Sequence, residues 1–190
     1  MSTDAGDWHL AQANLMSARG TLDNDVMAGF VALLDPVNTL ADQTPGFVWR
    51  MNPNDETAAL EGAFGKNMLL NMSLWRSLTD LQQFVYASRH LDAMRRRREW
   101  SLPISEPHQV LWWMPAGSRP TVADAANRLH LLRAEGPNAG AFTFRESFPS
   151  PPRNRESERG TQAVRDGTAW WGPTAGFRGG RPPRTQPLAL

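Results

Sequence analysis

The pattern of polar and apolar residues predicts a chain of alternating strands and helices. Strict alternation predicts a first strand over residues 8–16, with Leu10, Gln12, Asn14 and Met16 on one face. Apolar runs bounded by turn residues predict further strands over residues 46–51, 67–75 and 109–117, and a last short strand over 141–148. The polar segment 52–66 predicts a loop.

Apolar residues recur at helical spacing in the segments between these strands. A first helix follows an N-cap at Asp23 or Asn24, and Asp35-Pro36 predicts the start of a second, short helix. Another helix starts near Leu78 and either runs to Trp100 or breaks near Ser88. A last helix is capped by Thr121 and ends at Gly136.

This order, β-α-β-β-α-β followed by a helix and a strand, predicts a ferredoxin-like α+β fold. In that fold one antiparallel sheet carries helices on one face. The strands place large apolar side chains such as Trp49, Trp112 and Trp113 on both faces of the sheet. An uncovered apolar face predicts a partner subunit, and we therefore expect a homodimer.

The amino-acid composition excludes several kinds of site and protein class. The chain has 190 residues, 41% of them hydrophobic, and no cysteine. Disulfides, a thiolate nucleophile and a cysteine metal site are thereby excluded. No apolar run approaches the roughly 20 residues of a membrane span, and the polar N-terminus does not resemble a secretory signal. We expect a cytoplasmic protein with no membrane partner.

The net charge of +1 conceals a basic C-terminal segment. Residues 149–190 carry seven arginines against Glu156, Glu158 and Asp166, which leaves −3 on the rest of the chain. This segment is rich in proline, glycine and arginine and lacks apolar periodicity. We predict one domain over residues 1–148 and a disordered tail over 149–190. One FRGG stretch is too little to predict a nucleic-acid partner.

Six segments resemble a known bacterial family, that of domain of unknown function 3291. They are HLAQANL, TPGFVWR, LNMSLWRSLTDLQQFVY, SRHLDAMRRRREW, VLWWMPAGSRPTVADA and EGPNAGAFTF, which together span about residues 8–148. That family is similar to the dimeric α/β-barrel superfamily, which includes antibiotic-biosynthesis and heme-degrading monooxygenases. The resemblance implies a homodimer with its two sheets face to face and a small pocket in each subunit between sheet and helices.

The resemblance also implies roles for particular residues. Heme-degrading relatives use an Asn on the first strand, where Asn14 stands, and a heme-ligating His, which His90 matches. Phe84 stands where those relatives have Trp, which argues against heme degradation and leaves simple heme binding as an alternative. Cofactor-free monooxygenases surround a polycyclic phenol with Asn, Trp and Arg or Tyr, group types that Asn14, Trp75, Arg50 and Tyr86 supply.

The residues themselves show no phosphate loop, zinc-protease motif or nucleophile elbow, and no metal site is predicted. They do place polar side chains inside apolar strands, namely Gln12, Asn14, Asn71 and Ser73. A buried polar group needs a partner, so each of these either pairs within the protein or lines a pocket. His90 is either a base or ligand at that pocket or a surface residue. The other histidines, His9, His108 and His130, are expected at the surface or in loops.

The function predicted from the sequence is a small-molecule tailoring enzyme with monooxygenase-like chemistry. Its substrate is apolar or aromatic, and no cofactor or tightly bound metal is expected. The alternatives are a heme-binding protein that uses His90 and a non-catalytic dimeric ligand-binding module. Asn14 and His90 are the candidate catalytic residues. The candidate substrate-binding residues are Gln12, Arg50, Ser73, Trp75, Phe84 and Tyr86.

Overall fold

A computed structural model describes residues 7–52, 57–86 and 95–152. Its strands and helices are, in chain order, β1 (Trp8–Ala18), α1 (Ala28–Gln43), β2 (Phe47–Arg50), α2 (Thr57–Phe64), β3 (Met68–Trp75), α3 (Leu78–Val85), β4 (Ser101–Leu102), β5 (Gln109–Pro115) and α4 (Val122–Glu135). Short 3-10 turns over Asp25–Met27 and Arg97–Glu99 precede α1 and β4.

The described strands form one five-stranded antiparallel sheet. β3 lies between β2 and β1, and the far edge of β1 pairs with both β5 and β4. β5 takes the first part of that edge, from Trp8 to Asn14, and β4 takes Ser17 and Ala18. With β1 and β3 central and β2 and β5 outside, the strand order is that of a ferredoxin-like fold. The predicted α+β class and topology are confirmed.

Helices cover both faces of the sheet. α1 and α3 pack on the face that includes Leu10 and Trp75, which we call the α1/α3 face. α2 and α4 pack on the opposite face, against Ala11, Ala13 and Leu15, which we call the α2/α4 face. The prediction of helices on one face holds for α1 and α3, and the structure adds a second pair. The expected uncovered face was wrong, because the chain covers it; the homodimer itself stays a prediction.

The segment 52–66 contains α2, where the sequence analysis expected a loop. Leu60 and Phe64 lie four residues apart, so their side chains share one side of a helix. Both pack against the core of the α2/α4 face. Tertiary packing stabilises this short helix, whose eight residues are too few to give a clear periodic signal in the sequence.

α1 is one continuous helix, although two helices were predicted. Pro36 lies inside it on the exposed side, and the helix continues to Gln43. The predicted Asn24 cap is present, since its side chain accepts a hydrogen bond of 3.0 Å from the Val26 amide. It caps the 3-10 turn that leads into α1.

The helices after β3 and β5 begin with polar caps. Ser77 accepts a hydrogen bond from the Asp80 amide at the start of α3, which ends at Val85. The predicted Thr121 cap is confirmed as a capping box with Asp124, and α4 ends before Gly136 as predicted. Because α3 ends at Val85, the alternative of one helix that runs on to Trp100 is wrong, and Ser88, the place of the alternative break, lies outside the described residues.

Two details of the strands differ from the prediction. The segment 141–148 contributes an isolated bridge between Phe142 and Leu111 rather than a strand. β4 was not predicted, because two residues are too few to show alternation. Residues 153–190 lie outside the described residues, so the disordered tail stays a prediction. No helix within the described ranges is long and apolar enough to cross a membrane.

Candidate functional site

A polar band interrupts the core on the α1/α3 face. On that face one apolar cluster surrounds Leu10 and Trp75, and a second surrounds Met27 and Trp100. The residues between them are polar: Gln12, Asn14, Asn71, Ser73 and Gln109. The α2/α4 face instead has a single cluster that runs along β1 from Ala11 to Leu15. The polar band is therefore a property of one face only.

Part of the band is a buried chain of hydrogen bonds, which we call the relay. The Trp75 indole Nε1 donates to the Ser73 hydroxyl over 2.9 Å. The Ser73 hydroxyl donates to Oε1 of Gln12 over 3.0 Å. Gln12 and Ser73 are 7% and 5% exposed, and they face each other across β1 and β3. Without these bonds, burial of the two polar side chains would be strongly unfavourable.

One row further along the sheet lie three amides, which we call the amide row. Asn14 on β1 pairs in register with Asn71 on β3 and with Gln109 on β5. Asn14 and Gln109 are half-buried, and Asn71 is exposed. Among the described residues, none of these three side chains has a hydrogen-bond partner. The row therefore presents several amide donors and acceptors along one line across the sheet.

Gln109 was not among the site residues predicted from the sequence. The signal that could have found it is the alternation in the predicted strand 109–117, which places Gln109, Leu111 and Trp113 on one face. Knowing that this face is the one that carries Asn14 requires the register between β5 and β1, which the sequence alone does not give.

Trp75 is the aromatic centre beside the relay. It is fully buried, and its ring stacks on Phe84 with centroids 5.2 Å apart and meets Phe47 edge-on at 5.3 Å. The structure thus brings four predicted site residues together: Gln12, Ser73, Trp75 and Phe84. Because its ring is packed on two sides and sealed from solvent, Trp75 is placed to hold Ser73 in position.

Arg50 and Tyr86 lie at the margin of this arrangement. Arg50 pairs in register with Ser73, and its guanidinium forms a salt bridge of 3.1 Å with Asp42 of α1. Tyr86 follows the last residue of α3 and is 62% exposed. Neither residue is part of the relay.

The two predicted catalytic residues have different outcomes. Asn14 lies in the amide row on the face that α1 and α3 cover, two residues beyond Gln12. His90 falls within residues 87–94, outside the described residues. The prediction that both reach one cavity therefore stays a prediction.

The described histidines do not fit a heme site at the polar band. His9 alternates onto the α2/α4 face, where it pairs in register with Met114. His108 contacts the Glu106 carbonyl, and His130 is exposed on α4. Among the four histidines of the sequence, only His90 is left as a candidate axial heme ligand at this site. Within the described residues there is also no cluster of three His, Cys, Asp or Glu side chains that could hold a metal ion.

His9 is more buried than the sequence analysis expected. Its Nδ1 atom is buried without a hydrogen-bond partner among the described residues, as is the indole nitrogen of Trp8. Burial lowers the pKa of the His9 imidazole, and the positive charge of Arg76 lowers that pKa further. The neutral ring is therefore the favoured form in the folded protein.

The fold and the polar band together describe an α+β protein whose sheet carries a line of polar side chains on the face that α1 and α3 cover. The chain belongs to the family of domain of unknown function DUF3291, whose profile matches residues 9–159. No curated protein sequence matches the chain.

Several solved structures resemble it weakly. SnoaB, a cofactor-independent oxygenase from Streptomyces nogalater, is 14% identical with a TM-score of 0.36 over 62% of this chain and 98% of its own. Rv0793 from Mycobacterium tuberculosis is 14% identical with a TM-score of 0.40 over 60% of this chain and 99% of its own. A proposed antibiotic-biosynthesis monooxygenase from Nitrosomonas europaea is 10% identical with a TM-score of 0.40 over 61% of this chain and 96% of its own. The fold assignment rests on the strand order described above and not on these likenesses.

Proposed function

We propose that this protein is a small-molecule enzyme with monooxygenase-like chemistry, and that its substrate binds at the polar band. The observation that carries the proposal is the interruption of the core on the α1/α3 face alone. If the band were only structural, an apolar strip would stabilise the fold better, because apolar side chains need no partners. Polar groups retained at this place are explained by a ligand that meets them.

The surroundings of the band favour a largely apolar or aromatic substrate. The two apolar clusters flank the band along β1 and β3. A flat ring system can contact these clusters while its oxygen atoms meet the amides in between. Asn14 is the residue we propose to hold a carbonyl or phenolate oxygen, because its amide group has no protein partner among the described residues.

The proposed reaction class follows from the family resemblance, and its electrons balance without a cofactor. A hydroxyanthrone has a ring methylene that loses one proton to a base and is then oxidised by O₂. One oxygen atom becomes the ring carbonyl, and the other leaves as water with the two methylene hydrogens. The substrate supplies all four electrons. His90 is proposed as the group that moves the proton.

The test is oxygen consumption with a dihydroxyanthrone. We expect the purified protein to speed O₂ uptake and quinone absorbance together, one O₂ per quinone, well above the rate with heat-denatured protein. Asn14→Leu should reduce the rate at least about ten-fold, as loss of a hydrogen bond to a charged oxygen would. Asn127→Leu, on the exposed side of α4, is the matched control and should leave the rate unchanged.

Other outcomes separate the alternatives. Saturable binding of the anthrone without O₂ uptake would replace the enzyme with a ligand-binding module. A Soret band that His90→Ala abolishes would favour the heme-binding protein. We also propose that the protein is a cytoplasmic homodimer, in line with the family resemblance.

A further inference from the structure

We propose that Gln12 is a specificity-determining residue that favours ligands with an acceptor oxygen, because the relay fixes its amide with the NH₂ group toward the ligand. This inference rests on the proposed small-molecule site. It adds that the ligand should offer a hydrogen-bond acceptor, and not a donor, to Gln12.

The direction of the relay follows from the chemistry of its first member. An indole N–H can donate a hydrogen bond but cannot accept one. Ser73 must therefore accept from Trp75 at 2.9 Å, which leaves the serine hydrogen for its other neighbour, Gln12, at 3.0 Å. The atom of Gln12 that receives this hydrogen must be its carbonyl oxygen. The amide nitrogen then points away from Ser73.

The opposite orientation of the amide is unfavourable. If the Gln12 nitrogen faced Ser73, the hydroxyl would accept two hydrogen bonds and its own hydrogen would have no acceptor among the described residues. Ser73 is only 5% exposed, so water could not readily replace that partner. A buried donor without an acceptor is costly, and the orientation that satisfies all three groups is preferred.

The Gln12 nitrogen is available for a ligand. It has no hydrogen-bond partner among the described residues, and 7% of the surface of Gln12 remains exposed. Gln12 and Asn14 lie on the same face about 7 Å apart along the strand. An oxygen-bearing ring can thus meet the Gln12 donor while a second polar group meets the amide row.

Three tricyclic probes of nearly equal shape test this polarity. Fluorenone carries a carbonyl acceptor, carbazole carries an N–H donor at the equivalent ring position, and fluorene carries neither. In equilibrium dialysis with the full chain, we expect fluorenone to bind about five-fold more tightly than fluorene, the gain from one net hydrogen bond. Carbazole should bind more weakly than fluorene, because its N–H meets the Gln12 donors and loses its water.

Variants of Gln12 and Ser73 locate the effect. Gln12→Met keeps a similar volume without polar atoms and should make fluorenone and fluorene bind equally. Ser73→Ala frees the amide to rotate and should bring fluorenone and carbazole within about two-fold of each other. Ser73→Thr keeps the hydroxyl and should retain the wild-type order. Gln83→Met, on the exposed side of α3, is the matched control and should change nothing.

The outcomes are distinguishable. Binding of all three rings without preference, or a fluorenone preference that survives Gln12→Met, overturns the role of Gln12 and leaves the proposed site intact. Failure of every ring to bind overturns the proposed site and this inference with it. Circular dichroism and thermal melting establish that each variant is folded. If Ser73→Ala does not fold, Gln12→Met alone decides the question.

Discussion

Gly46 and Gly117 share a backbone conformation but differ in their surroundings. Both have φ of +84°, a region that side chains disfavour. A Cβ atom at Gly46 would collide with the Asp80 side chain, whereas one at Gly117 would meet nothing within 4 Å. Asp80 cannot move away freely, because its carboxylate accepts a 2.7 Å hydrogen bond from Ser77 at the start of α3.

Comparison of alanine substitutions at Gly46 and Gly117 separates the cost of backbone strain from the cost of a steric clash. We expect Gly117→Ala to cost about 1 kcal/mol, the strain of positive φ alone. Gly46→Ala should cost clearly more, about 2–4 kcal/mol, because it adds the clash and disturbs the Ser77 cap. Urea denaturation of both variants measures the two free energies of unfolding. Equal losses would show that Asp80 yields without cost.

His9 makes stability depend on pH in a defined direction. Its pKa in the folded protein lies below the ordinary value because of burial and Arg76. The unfolded chain therefore binds more protons than the folded one as pH falls through about 6.5. The contribution of neutral His9 is complete above that pH and is lost below it.

The expected result is a steeper loss of stability in acid for the wild type than for His9→Gln. Unfolding free energies measured between about pH 8 and pH 5 should converge toward those of the variant as the pH falls. His130→Gln, at an exposed position of α4, is the control and should leave the wild-type profile unchanged. Parallel profiles for wild type and His9→Gln would contradict the role of His9.

For the candidate site, alternation in the sequence was enough to place Gln12 and Asn14 on one face. It was not enough to find Gln109 or the bond from Trp75 to Ser73. The first depends on strand register, and the second depends on the position of the Trp75 ring, which packs against Phe47 of β2 and Phe84 of α3. Such contacts are set by tertiary packing, which local patterns do not record.

At the level of elements, α1 shows how packing overrides a local signal. Asp35-Pro36 has the residues of a new helix start, yet the helix continues through Pro36. Contacts on both sides of the proline explain this, because Phe30 and Leu33 pack in one apolar cluster and Ala41 in the other. The helix thus bridges the two clusters at the expense of one backbone hydrogen bond.

Replacing this proline should therefore stabilise the protein. Pro36→Ala restores a backbone donor at an exposed position, and we expect a gain of about 1–3 kcal/mol in the free energy of unfolding. Thr39→Ala, also exposed in α1, changes only helix propensity and should gain no more than about 0.7 kcal/mol. A loss of stability in Pro36→Ala would mean that α1 needs a bend at this residue.

α2 is the helix that was hardest to predict from the sequence, where a loop was expected. Eight residues with two large apolar side chains give a weak periodic signal, and the helix depends on the α2/α4 face for its stability. By contrast, α4 carries its own capping box and four buried residues at helical spacing, which is why its bounds were predicted closely.

For the whole molecule, helices of the same chain cover both faces of the sheet, so a dimer interface would have to lie elsewhere on the surface. Exposed apolar residues occur in two segments that adjoin the end of β1: Leu22 and Val26, exposed by 40% and 42%, and Leu102, exposed by 45%. Apolar side chains grouped at a surface favour association. We place the proposed homodimer contact there.

Size exclusion with light scattering should then give the mass of a dimer. Leu102→Arg should shift the mass to a monomer with an unchanged circular dichroism spectrum, because a charge there opposes burial. Val48→Arg, 36% exposed on the opposite edge of the sheet, should remain a dimer. A monomer mass for the wild type at every concentration would overturn the homodimer.

The unequal faces of the sheet also have a consequence for how the molecule opens. An unbroken core ties β1 and β3 to α2 and α4, whereas the polar band divides the contacts that hold α1 and α3. Local opening occurs first where the packing is weaker, which is between the sheet and the helices α1 and α3. The amide hydrogens of α1 and α3 should therefore exchange with D₂O faster than those of α4. Such opening of α1 and α3 would give the ring substrate proposed above a route to the polar band while the sheet stays assembled.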